Sequence, residues 1–109
     1  LNPSSAASDV YKRQILRAVR ESGGFAVAIS DEAIFEARDE VAREDGVLLC
    51  PEGAATFAAY KQALADGSIK ANETAILYNC ATGLKYPMPK VDKTIDRHQP
   101  INYGSLFNQ

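Results

Sequence analysis

The run Tyr78-Asn79-Cys80-Ala81-Thr82-Gly83-Leu84-Lys85 sets a thiol, a hydroxyl and a glycine close together behind the apolar residues Ala75-Ile76-Leu77. If the apolar run is a strand, these groups stand at its C-terminal end. Loops that leave strand ends in an open α/β sheet bound a crevice, and ligands bind there. Cys80 and Thr82 are the candidate contact residues. A second run, Cys50-Pro51-Glu52-Gly53-Ala54-Ala55-Thr56, opens a helix with small residues. Such residues let a ligand or a neighbouring backbone come close, and the free N–H groups at a helix start favour an anion. Glu52 is explained as a first-turn acid that complements the helix dipole.

Three other groups carry less. His98, the single histidine, lies in Asp96-Arg97-His98-Gln99-Pro100 with no nucleophile at a spacing that would pair with it, and reads as a surface or docking residue. Lys85 reads as a residue near the end of a glycine turn. Cys50 and Cys80 are two thiols far apart in sequence, too few for a zinc motif, so no metal is expected. Each ends an apolar run, the setting of a reduced, buried thiol in a cytoplasmic protein.

The elements that position these groups follow from periodicity. Ile15, Leu16, Ala18 and Val19 among charged residues predict the end of an amphipathic helix, stopped by Gly23-Gly24. Residues 25–29, Phe-Ala-Val-Ala-Ile, are too short for a helix and suit a strand covered on both faces. Ser30 is the expected N-cap of the next helix, with Asp31 and Glu32 in its first turn and Gly46 at its end. Its acids alternate with bases around apolar positions, which marks a solvated face. Residues 47–50 form a second apolar run. The alanine-rich helix from residue 51 closes at Asp66-Gly67, and residues 74–79 form a third run. The order α-β-α-β-α-β predicts a layered α/β fold with parallel strands joined by crossover helices. Val27, Ile29, Leu48, Ile76 and Leu77 should lie in its core, under Ile34, Val41, Phe57 and Leu64. From Pro87 onward prolines break all periodicity, so an extended tail is expected.

The chain has 109 residues, is 46% hydrophobic and carries a net charge of −2. That hydrophobic content is enough for a globular core. The mild acidity and absence of Lys/Arg clusters exclude a nucleic-acid footprint. No apolar run reaches the roughly 20 residues of a membrane span. Residues 4–14, Ser-Ser-Ala-Ala-Ser-Asp-Val-Tyr-Lys-Arg-Gln, read like an in-frame translation of a transposon-based sequencing-library adapter. The expected division is a non-native leader over 1–14, part of an α/β large domain over 15–87, and an extended tail over 88–109.

Residues 50–56 and 79–87 together resemble the C-terminal part of the threonine synthases, pyridoxal-phosphate enzymes of fold type II in the tryptophan-synthase-β-like superfamily. The resemblance implies a Rossmann-like parallel sheet and a lyase reaction: O-phospho-L-homoserine and water give L-threonine and phosphate. It implies pyridoxal 5'-phosphate as cofactor and a small-molecule substrate, with no nucleic acid or membrane partner, and is open to a homo-oligomeric parent. It also implies that the Schiff-base lysine and the glycine-rich phosphate cradle lie upstream, so this chain holds no catalytic residue and is expected to be inactive alone.

By the same resemblance, a small polar side chain at a strand end faces the pyridine nitrogen. Counting back from Gly83-Leu84-Lys85 gives Cys80, and a register shift of two gives Thr82. Relatives have a glutamate-proline pair where this chain has Cys50-Pro51, so no family role passes to Glu52. A related serine or threonine dehydratase would also accommodate a cysteine at 80. A non-catalytic module holding a small ligand at the same turn is the rival outside enzyme chemistry.

Overall fold

The computed structural model describes residues 3–107; the first two residues of the expected leader and the last two of the tail lie outside them. Among the described residues four helices appear in order: α1 (Pro3–Glu21), α2 (Asp31–Asp45), α3 (Pro51–Asp66) and the short α4 (Tyr103–Phe107), with one 3-10 turn at Gly83–Lys85 before α4.

Local signals account for where the helices start and stop. Ser30 is extended and its hydroxyl accepts from the Ala33 amide at 3.3 Å, which satisfies one of the free donors at the start of α2. Gly46 and Gly67 end α2 and α3 in the left-handed region, with φ of 68° and 81°, where a side chain would be strained. α1 stops at the Gly23-Gly24 pair, the Gly24 amide returning to the Val19 carbonyl at 2.9 Å. Residues 7–12 of α1 are exposed, Val10 and Tyr11 among them.

α2 packs along α3, and this hairpin holds the core. Ala37, Ala54 and Ala63 are buried together with Cys50, and Ile34, Val41, Phe57 and Leu64 are half-buried. Small residues at the contact let the two helices approach closely. Arg38 is buried beside them; its guanidinium stacks 4.9 Å from the centre of the Phe35 ring and donates to Asp39 and to the Pro87 carbonyl. That last bond ties the start of the tail to α2. The tail then runs to α4, a helix where none was expected, whose carbonyls at Ser105 and Leu106 accept from the Lys93 ammonium.

The expected parallel α/β sheet does not form. Among the described residues the β pairing is a single antiparallel bridge between Leu49 and Thr82, supported by a 3.1 Å bond from the Gly83 amide to the Leu48 carbonyl. Segments 25–29 and 74–79 find no ladder partner. A lone strand leaves backbone groups unpaired and apolar side chains in water, so it is not a stable element. Exposure follows: Ile76 is 91% exposed, and Val27 and Leu77 are open rather than core, while Ile29 and Leu48 are half-buried. The radius of gyration, 19.1 Å, exceeds the roughly 13 Å of a compact chain this long, as a helical hairpin with open extensions should.

Candidate functional site

The bridge at Leu49 and Thr82 brings the two motifs of the sequence together. Cys50 takes the N-cap position of α3 with Pro51 as the first helical residue, and its sulfur accepts from the Gly53 amide at 3.3 Å. Proline suits that position because its missing N–H would be unpaired there in any case. The Cys50 thiol donates to Asn79 Oδ1 at 3.1 Å, and the Cys80 sulfur lies 3.9 Å from that of Cys50. With the Cys50 proton on Asn79, Cys80 is the donor of the thiol pair. Cys50 is buried and Cys80 is exposed, so the expectation of two buried thiols holds for one of them.

Two glycines permit this approach. A Cβ on Gly53 would collide with Asn79 Oδ1, and one on Gly83 would meet the Leu49 carbonyl oxygen at 2.5 Å and Leu48 Cγ at 2.6 Å. Thr82 caps the 3-10 turn, its Oγ1 accepting from the Leu84 amide at 3.3 Å. Across the turn Tyr86 donates its hydroxyl to Glu52 Oε1 at 3.2 Å.

The electrostatics follow these contacts. Backbone amide donation at the helix start, and then the Tyr86 hydroxyl, hold the Glu52 carboxyl below its usual range. The Glu52 carboxylate in turn pushes the Tyr86 phenol up. The Cys80 thiol is pushed up, first by its bond to the Cys50 sulfur and then by partial desolvation, so it stays protonated.

Cys80 and Thr82 line one open cleft of about 570 Å³ with Asn79, Leu48 and Leu84, and no charged side chain lines it. The lining therefore offers neutral donors and acceptors beside apolar surface. Thr82 uses its oxygen for the Leu84 amide and keeps its proton for a ligand, while Cys80 shares its proton with Cys50. Lys85 and His98 stay outside the cleft, and His98 bonds to Arg97 and, through its amide, to Asp96. Neither Asn79 nor Tyr86 is marked by composition or spacing as a contact residue. Asn79 stood inside the quoted motif, but nothing in its spacing pointed to Cys50, and the Glu52–Tyr86 contact spans two segments with no shared pattern.

Residues 3–81 match the family of pyridoxal-phosphate dependent enzymes. The match begins inside the segment read as a leader and includes Cys80, stopping one residue before Thr82. The chain is similar to the threonine synthase of Methanocaldococcus jannaschii, with 38% identity over 72 residues, 66% of this chain and 18% of that protein. It is also similar to the threonine synthase of Methanosarcina acetivorans, with 32% identity over 97 residues, 84% of this chain and 24% of that protein. The chain thus spans about a fifth to a quarter of the length of the curated relatives it matches. No solved structure matches the chain significantly.

Proposed function

The chain belongs to the family of pyridoxal-phosphate dependent enzymes, and from that premise we propose that the complete protein is a cytoplasmic threonine synthase. It would convert O-phospho-L-homoserine and water to L-threonine and phosphate. The observation that carries this reading is the similarity to two proteins of that name across most of this chain. Among the described residues no helix is long and apolar enough to cross a membrane.

The cleft at Cys80 and Thr82 fits the pyridine end of the cofactor by its chemistry. Pyridoxal phosphate, when bound, supplies an electron sink for the carbon bonds next to the substrate amine, and the partner of its ring nitrogen tunes that sink. A carboxylate partner would hold the nitrogen protonated. This cleft presents a thiol and a hydroxyl and no acid, which favours a neutral, hydrogen-bonded nitrogen. In this reading Cys80 donates to the ring nitrogen, and Thr82 is the alternative donor. Leu48 and Leu84 would give the ring apolar contact. Gly83 keeps the turn against the start of α3, so that the donors hold their places.

The test uses the complete protein, recovered by extending the reading frame upstream. It should release phosphate and form threonine in equal amounts from O-phospho-L-homoserine. Formation of a 2-oxo acid and ammonia from serine or threonine, without that reaction, would identify a dehydratase instead. The 109-residue chain alone should form no threonine and show no cofactor-dependent change in absorbance, because the residues implied to bind the cofactor covalently are not among its own. Turnover by the purified chain would overturn that part of the proposal.

A further inference from the structure

We propose that Cys50, Cys80 and Glu52 form a binding site for a thiophilic divalent cation of the zinc class. The two sulfurs, one sulfur from each motif, lie 3.9 Å apart. Two thiolates on one tetrahedral zinc, each at about 2.3 Å, stand about 3.8 Å apart. A disulfide would require about 2.0 Å, so the observed spacing suits a shared cation and not a covalent bond. A Glu52 carboxylate oxygen lies within 4.8 Å of both sulfurs. Closing to the roughly 3.5 Å of an oxygen–sulfur edge around zinc takes a side-chain rotation of an exposed residue, with release of the Tyr86 hydroxyl.

The start of α3 offers the Cys50 sulfur a backbone donor. The Gly53 amide already points at Cys50 Sγ, and the start of α3 presents its positive dipole end to both Cys50 and Glu52. Asn79, whose Oδ1 is 3.1 Å from Cys50 Sγ, stands where it can accept the role of an outer partner or of a fourth ligand. Binding replaces the proton of each thiol by a metal–sulfur bond and releases both protons to solvent. Two soft sulfurs with one carboxylate select zinc, cobalt or cadmium over magnesium or calcium.

This site goes beyond the proposed function and is an alternative state of Cys80, because a metal-bound sulfur has no proton to donate to a ring nitrogen; its test is read without pyridoxal phosphate, so either reading can fail alone. The reduced 109-residue chain is titrated with Co²⁺ and the thiolate-to-metal charge-transfer band is followed. The band should saturate at one metal per chain and be displaced by Zn²⁺. Cys80→Ser should abolish it while leaving the far-UV spectrum of the helices unchanged, which guards against misfolding of Cys50→Ser. Glu52→Gln should weaken binding by at least about tenfold, the lower end of what losing even a supporting partner costs. Absence of the band, its persistence in Cys80→Ser, unaltered affinity in Glu52→Gln, or saturation at one metal per two chains would each overturn the proposal.

Discussion

Gly83→Ala is expected to detach the 82–86 turn from the start of α3. The new methyl would stand 2.5 Å from the Leu49 carbonyl oxygen and 2.6 Å from Leu48 Cγ. The oxygen belongs to the bridge that joins the two motifs, so it cannot swing away as a side chain would. Either the Gly83-to-Leu48 hydrogen bond opens or the turn moves off the helix start. Overpacking of this kind costs about 1–3 kcal/mol. Gly53→Ala should cost less, because its clash is with the Asn79 side chain, which can rotate at the expense of the Cys50 bond. Denaturant midpoints of the two variants check the order. An unchanged midpoint for Gly83→Ala would mean that the turn does not rest on residues 48–49.

Helix ends were legible in the sequence because they are made by single residues acting locally. Ser30 supplies the hydroxyl for α2, Gly46 and Gly67 supply left-handed stops, and Pro51 opens α3. The parallel sheet was not, and the reason is physical. An apolar run states how a segment would like to be covered, not what covers it. Residues 25–29 and 74–79 carry strand-like patterns, yet Ile76 and Tyr78 stand in solvent because no neighbour pairs with them.

The site was legible as two motifs but not as one place. A separation of 30 residues argued against any joint role for Cys50 and Cys80, whereas the bridge at Leu49 and Thr82 sets their sulfurs side by side. Cysteine is also outside the usual set of helix caps, so the sulfur-to-Gly53 contact gave no advance signal.

Removal of the Cys80 side chain from the complete enzyme should have the second large effect. Cys80→Ser keeps a neutral donor of similar size and should retain most activity. Cys80→Asp would hold the ring nitrogen protonated, strengthening the electron sink and changing the absorbance of the bound cofactor during turnover. On the proposed reading, Cys80→Ala would leave the nitrogen without a protein partner. Its kcat should fall by roughly one to two orders of magnitude, the range associated with an unpartnered buried polar group. KM should change less, since the substrate's own contacts are implied to lie elsewhere.

The most direct measurement compares kcat of Cys80→Ala and Thr82→Ala in the complete enzyme with O-phospho-L-homoserine as substrate. The account predicts a crippled Cys80→Ala beside a Thr82→Ala close to the parent. A Cys80→Ala as active as the parent would contradict it: with Thr82→Ala crippled the contact belongs to Thr82, and with both active the turn serves the fold alone.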